Sequence, residues 1–277
     1  MAKIVQINQV GGPENLVLAE FEKTMPEANE IRFTVEAFAL NRADLLYMHG
    51  NHYTKLVLPS RLGSEAVGIV DAIGEKVKKY KIGDRVASIP FHALNPNRNG
   101  VQGEFAIVPE DYVVISPKNL KPEQETAIWM QYLTAYFALK IVGKLKKNKS
   151  VLIIAGASSA GLGAIQMANV MGVNVIATTR SPNKIPVIKK AGANHVIVTK
   201  TGIPFDEKIL EYTSNVGVDM VFDPVAGKFI LNYINGLNWN AKILIYGMLD
   251  HAIEINVPIL EMLSSKASIH PYSKFNH

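Results

Sequence analysis

The stretch VLIIAGASSAGLGAIQMANVMG, Val151 to Gly172, reads as a short apolar strand, a turn of glycine and serine, and then a helix. Outward from it the chain keeps the same rhythm. A helical stretch, AIWMQYLTAYFALKIV, precedes it, and the strands VNVIATT, HVIVT, VDMVFDPV and KILIYG follow, each reached through a helical segment. Apolar strands alternating with helices build a parallel sheet covered on both faces. In such a sheet the ligand crevice lies beyond the carboxyl ends of the strands, and the first strand-to-helix turn brings a phosphate group to a helix N-terminus. Gly156 to Gly163 occupies that place.

Up to about residue 125 the texture differs: β-rich runs such as IRFTVEAFAL, AVGIVDAIG, DRVASIP and EFAIVP are broken by glycine and proline. That pattern predicts an irregular β domain over 1–125 and an α/β domain over 126–277, with no internal repeat and no low-complexity linker. A chain of 277 residues with 48% hydrophobic content has enough apolar material for two modest cores. No apolar run approaches the roughly 18 uncharged residues of a membrane span, and MAKIVQINQV lacks the apolar core of a signal peptide, so a soluble, cytoplasmic protein without a membrane partner is expected.

The chain contains no cysteine, which removes disulfides, thiolate nucleophiles and cysteine-based zinc sites together. The net charge of +5 is spread along the sequence, and its one dense run, KLKKNK from Lys144 to Lys149, is either a solvated connection or an anion-binding surface. No aromatic residues interleave with it, so nucleic acid is not an expected partner. The histidines are scattered without a ligand pair at helical spacing.

Three readings of the glycine turn compete. A P-loop requires a lysine directly after its last glycine, but Gly161 is followed by Leu162 and Gly163. The turn also resembles the GASSGIG of short-chain dehydrogenases, yet it has one residue more between its first two glycines. The catalytic Tyr-x-x-x-Lys of that family belongs downstream, whereas the match here, Tyr136 to Lys140, precedes the turn.

The third reading rests on an ordered set of motifs: ALNRADLLYMHG, LPSRLGSEAVGIVDAIGEKVKKYKIGDRVAS, QGEFAIVP, AIWMQYLTAYFAL, AGASSAGLGAIQMA, VIATTRSPNK, AGANHVIV and VDMVFDPVAG. Over essentially its whole length the sequence resembles the medium-chain dehydrogenase/reductase superfamily, in its zinc-free quinone oxidoreductase branch. The resemblance implies an N-terminal GroES-like β-barrel domain, a Rossmann doubly wound parallel sheet, and a nicotinamide cofactor in the cleft between them. Zinc alcohol dehydrogenases of this superfamily hold their metal with two cysteines and a histidine. This chain has Asn41, Ser64 and Met130 at the matching positions, which are poor zinc ligands. A histidine-only metal site would have to draw on His49, His52 and His92 in the same domain. What remains is hydride transfer to an electrophile already polarised by conjugation, a quinone or an α,β-unsaturated carbonyl compound, with hydrogen-bond help from the protein.

Asn41 is the first candidate for that help, because its amide can donate to a substrate oxygen or to the nicotinamide edge. Tyr47 and Tyr53 either orient a flat acceptor and supply a proton or pack half-buried. Asp44 matches a family position near the active site and also suits an N-cap. The resemblance places Thr134 beside the nicotinamide carboxamide. Gly156, Ser158, Ser159, Ala160 and Gly161 are expected to approach the pyrophosphate through backbone amides, with the serine hydroxyls as further donors. Asp223, Val225, Ala226, Gly247 and Met248 end the fourth and fifth Rossmann strands and line the nicotinamide half by family likeness, though Asp223 can instead cap the following helix.

Cofactor choice is read at the end of the second Rossmann strand, where an NAD enzyme carries an acid for the ribose hydroxyls. VNVIATTRSPNK has none there; it has Arg180 and Lys184, with Thr179 and Ser181 as added donors, which points to NADPH. Lys184 can also be plain surface. By family likeness a homodimer is expected through the last Rossmann strand, in Lys266 to Phe275, with Pro271 shortening the pairing. Family chains run past that strand and back to the first domain, so the sequence as it stands is expected to lack this return segment and to bind cofactor with weak turnover. The alternative function is a dinucleotide-binding structural or regulatory protein with little or no turnover.

Overall fold

The computed structural model describes residues 1–91, 97–251 and 254–273. His92, Lys274 and Phe275 lie outside the described residues. The chain forms two compact units, Met1–Met130 and Gln131–His277.

The first unit contains β1 (Ala2–Ile7), β2 (Leu16–Phe21), β3 (Glu30–Phe38), α1 (Arg42–Met48), β4 (Ser60–Arg61), β5 (Ala66–Ile73), β6 (Arg85–Ser88), β7 (Phe105–Pro109) and β8 (Val113–Ile115). The short helix α2 (Pro122–Glu125) follows, and α3 (Trp129–Tyr136) begins at the end of this unit. A five-stranded antiparallel sheet runs β7-β3-β5-β6-β8, and β2-β1-β4 form a second, smaller sheet. Ile31, Phe33, Ala66, Val70, Val86, Ala106 and Val108 bury the inner face of the larger sheet. This is the GroES-like architecture.

The second unit contains β9 (Ser150–Ile153), α4 (Ser159–Val170), β10 (Asn174–Thr179), α5 (Ile185–Lys190), β11 (His195–Val198), α6 (Asp206–Tyr212), β12 (Val218–Asp223), β13 (Leu237–Ile245), α7 (Ile259–Ser265) and β14 (Ser268–Pro271). All its strand pairs are parallel, in the order β11-β10-β9-β12-β13-β14. That is the doubly wound Rossmann order, with its topological switch point between β9 and β12. Because side chains alternate across a strand, Val151, Ile153, Val175, Ala177, Met220 and Phe222 feed the core under α4, while Leu152, Ile154, Ile176, Val221 and Ile243 feed the core on the opposite face. Both faces are covered, which is why these strands read as unbroken apolar runs.

Two elements differ from the sequence reading. The single helix expected over AIWMQYLTAYFALKIV is α-helical only to Tyr136; Phe137–Val142 is a π-helical turn, in which the Gly143 amide donates to the Ala138 carbonyl five residues back. Between β12 and β13 the chain forms two 3-10 turns, Gly227–Asn232 and Ile234–Gly236, where an α-helix was expected. Gly227 opens the first turn at a left-handed φ of 56°, and Tyr233, at φ −135° and ψ −1°, leaves helical geometry between the two turns.

Candidate functional site

The glycine turn is the best-defined part of the site. Ser158 caps α4, its Oγ accepting from the Gly161 amide at 3.0 Å. The Gly156 amide donates to the Thr178 carbonyl at 2.8 Å, and the Ala155 amide to Thr178 Oγ1 at 3.1 Å, so the turn is tied to the end of β10. The amides of Gly156, Ser158 and Gly161, expected to face a pyrophosphate, are therefore engaged inside the turn. Helix geometry instead leaves the amides of Ser159 and Ala160, at the first positions of α4, without an intrahelical acceptor.

The glycines serve close approach. A Cβ on Gly161 would lie 2.5 Å from the Ala155 carbonyl oxygen, and one on Gly156 2.9 Å from Ala177 Cβ. On Gly163 it would meet Gln131 at an ordinary 3.4 Å.

At the end of β10, Thr179 is buried and its hydroxyl bonds the Ser181 amide and carbonyl, closing a local turn in place of the free donor expected there. Arg180 and Lys184 are exposed, and neither has a carboxylate partner among the described residues.

At the end of β12, Asp223 is wholly buried. One carboxylate oxygen accepts from the amides of Val225 (2.7 Å) and Ala226 (3.1 Å), the other from the Tyr233 hydroxyl at 2.8 Å. Burial pushes its pKa up, partly offset by those three donors. The side chain thus shapes the Val225–Ala226 turn, which holds Ala226 at φ 58° and ψ −146°, a conformation that favours glycine. The Leu249 amide donates to the Pro224 carbonyl at 2.8 Å, fixing the loop that carries Gly247 and Met248 beside this turn. Thr134 is buried on α3 in the same unit.

In the first unit Asn41 is the N-cap of α1, and Asp44 Oδ2 accepts both its amide (2.8 Å) and Gln102 Nε2 (3.2 Å). Asp44 is therefore the third helical residue of a capping arrangement, not the cap itself. The Asn41 side-chain amide donates to Glu65 Oε2 at 3.2 Å, and Glu65 Oε1 accepts the Met130 amide at 2.9 Å. Glu65, 1% exposed, thus links Asn41 and Met130, two of the positions that the family resemblance sets against zinc ligands. The sequence reading passed over it; the signal was a lone acid entering an otherwise apolar strand, in GSEAVGIV. Tyr47 is half-buried with its hydroxyl 3.2 Å from Ser60 Oγ, and Tyr53, 66% exposed, packs against His52 with ring centroids 4.1 Å apart and planes tilted by 31°.

Comparison with known proteins agrees with both halves. The alcohol dehydrogenase GroES-like domain matches residues 27–118 and the zinc-binding dehydrogenase family matches residues 160–270. The chain is 33% identical over 225 residues to a quinone oxidoreductase of Pseudomonas aeruginosa, a match covering 81% of this chain and 67% of that protein. The chain belongs to the medium-chain dehydrogenase/reductase superfamily, in its quinone oxidoreductase-like group. The solved Escherichia coli quinone oxidoreductase complexed with NADPH superposes with a TM-score of 0.87 at 28% identity, covering 99% of this chain and 82% of that one. The CurK enoyl reductase superposes at 0.85 and 26% identity, over 99% of this chain and 82% of that one.

For a member of this oxidoreductase group the second unit has features that suit a dinucleotide: a glycine turn folded tightly enough that a Cβ on Gly161 would strike the Ala155 carbonyl, and first-turn amides of α4 without an intrahelical acceptor. Among the described residues no cluster of three His, Asp or Glu side chains suits a metal ion, and no helix is long and apolar enough to cross a membrane.

Proposed function

We propose that this chain is a zinc-independent, NADPH-dependent reductase acting on quinones or α,β-unsaturated carbonyl compounds. The observation that carries the reading is the end of β10: no carboxylate stands there to repel a 2′-phosphate, and Arg180 and Lys184 are exposed and without carboxylate partners. A dihydronicotinamide, when bound, supplies the hydride; the protein binds, orients and provides a proton. Ser159 and Ala160 offer their amides to the pyrophosphate, and Thr134 holds the carboxamide. Asn41, one amide hydrogen already on Glu65, has its other N–H for the oxyanion that develops on the acceptor. Tyr47 or Tyr53 supplies the proton that completes reduction.

Asn41, Ser64 and Met130 form a donor set of amide, hydroxyl and thioether, and Glu65 is already engaged by two of these residues, so metal-assisted chemistry is not part of the proposal. The protein is further proposed to be cytoplasmic and to pair as a homodimer along β14, the last strand of its sheet, which sedimentation at micromolar concentration tests.

The deciding experiment is NADPH oxidation with a panel of quinones and enones, before and after exhaustive chelation, alongside dissociation constants for NADPH and NADH. Acceptor-dependent oxidation that survives chelation, with NADPH bound more tightly, is expected. The double variant Arg180→Ala, Lys184→Ala should lose about tenfold or more of that preference. Equal affinity for both cofactors in the native protein would refute the NADPH assignment, and binding without oxidation would favour a non-catalytic dinucleotide-binding protein.

A further inference from the structure

The parallel-sheet unit carries a strained turn at the same end as its glycine turn. Its switch point lies between β9 and β12, so the crevice of the sheet is flanked by the loops at the carboxyl ends of these two strands. The β9 loop is the glycine turn. The β12 loop runs through Asp223, Pro224, Val225 and Ala226, and in it Ala226 holds φ 58° and ψ −146°, close to a region that glycine alone adopts freely. An alanine here lowers stability where a glycine would not, so its conformation calls for an explanation.

The strain is imposed from several sides. Asp223 Oδ1 accepts both turn amides, Val225 at 2.7 Å and Ala226 at 3.1 Å, while its other oxygen accepts from the Tyr233 hydroxyl at 2.8 Å. Most carbonyls are held as well: those of Asp223, Pro224 and Ala226 accept the amides of Tyr246 (3.1 Å), Leu249 (2.8 Å) and Phe229 (3.1 Å). One polar group of the turn is left over. The Val225 carbonyl accepts no hydrogen bond among the described residues, and Val225 is the partly exposed residue of an otherwise buried turn. A turn over-determined by its neighbours, with one acceptor unbonded, is where strain serves contact with a ligand.

Resting on the NADPH reading above, we propose that Ala226 is a positioning residue for the nicotinamide half of the cofactor: its strained backbone, clamped by Asp223, holds the Val225 carbonyl ready for a donor of the nicotinamide riboside. The side of the crevice follows from the sheet. Each half of a doubly wound sheet takes one mononucleotide. In the NADPH reading Arg180 and Lys184, after β10, take the 2′-phosphate and with it the adenosine, which leaves the β12 side to the nicotinamide. An acceptor fixed before binding removes an ordering cost from the bound state, and the strain that fixes it lowers the stability of the free protein.

The test pairs Ala226→Gly, which relieves the strain, with Tyr233→Phe, which keeps the ring beside Phe205 and Phe229 and removes the hydroxyl that holds Asp223. Urea unfolding gives the stability of each without cofactor. Dissociation constants are measured for NADPH and for adenosine 2′,5′-bisphosphate, which carries the 2′-phosphate but no nicotinamide. Expected are higher stability in the first variant and lower in the second, about three- to fivefold weaker NADPH binding in both, and unchanged bisphosphate binding. A turn with only a structural role would not weaken binding while stability rises. Should Tyr233→Phe fail to fold, Ala226→Gly, the more stable of the two, decides alone. NADPH affinity unchanged or raised in Ala226→Gly, or a loss shared by the bisphosphate, would overturn the proposal while leaving the cofactor reading intact. A native protein that binds neither NADPH nor the bisphosphate would remove both.

Discussion

The surroundings of Asn41 in the first unit and the head of α4 in the second treat their polar groups in opposite ways. In the first, the side chains near Asn41 close on one another: Asn41 on Glu65, Glu65 on the Met130 amide, Asp44 on the Asn41 amide and Gln102, Tyr47 on Ser60. In the second, helix geometry leaves the first amides of α4 without an intrahelical acceptor, and Arg180 and Lys184 stand without carboxylate partners among the described residues. Donors left open suit an anionic ligand, whereas donors satisfied internally hold a geometry. The head of α4 thus suits an anion, and the Asn41 cluster fixes the orientation of a few groups.

The comparison is sharpest at its two buried carboxylates. Asp223→Ala strands three donors and should cost about 4 kcal/mol in denaturant unfolding, while Glu65→Ala strands two and should cost about 3 kcal/mol. A loss under 1 kcal/mol at either site would break the claim that these carboxylates hold their turns. Next in size is Gly161→Ala, whose Cβ has 2.5 Å to a backbone oxygen, against Gly163→Ala, which has 3.4 Å to Gln131. The first should destabilise by about 2–3 kcal/mol and the second stay within about 1 kcal/mol of native, because alanine suits a helix interior better than glycine. Similar thermal shifts for the two would show that the turn tolerates a wider approach.

Smaller effects follow from strain and ionisation. Ala226→Gly should raise stability by about 1 kcal/mol by relieving the backbone at φ 58° and ψ −146°. Asp223 has its pKa raised by burial, so the folded chain binds more protons than the unfolded chain between the ordinary carboxylate value and the folded one. Its contribution to stability is therefore greatest below the unfolded pKa and falls as pH rises through that window. Asp223→Asn should accordingly compare better with the native protein at pH 7 than at pH 4, and a difference independent of pH would mean that the carboxylate titrates normally.

The sequence by itself determined the change from a β-rich to an α/β part, the parallel sheet of the second part, and the place of the turn; the strand order was seen only in the structure. Period-two burial over strands covered on both faces forces continuous apolar runs, and a chain reversing tightly onto a helix forces glycine, so both leave their mark in residue type. It also exposed the missing acid after β10, since the presence or absence of a charge is written directly in the letters. Which donors are free was decided only by the tertiary structure. Gly156 and Gly161 look alike as phosphate-facing amides in the sequence, yet one is bonded to Thr178 on a neighbouring strand and the other to Ser158. Glu65 meets Met130 across a separation of 65 residues, and the Ala155 amide meets the Thr178 hydroxyl across 23. A hydrogen bond depends on distance and angle between particular atoms, and those are fixed by packing rather than by the spacing of residues along the chain.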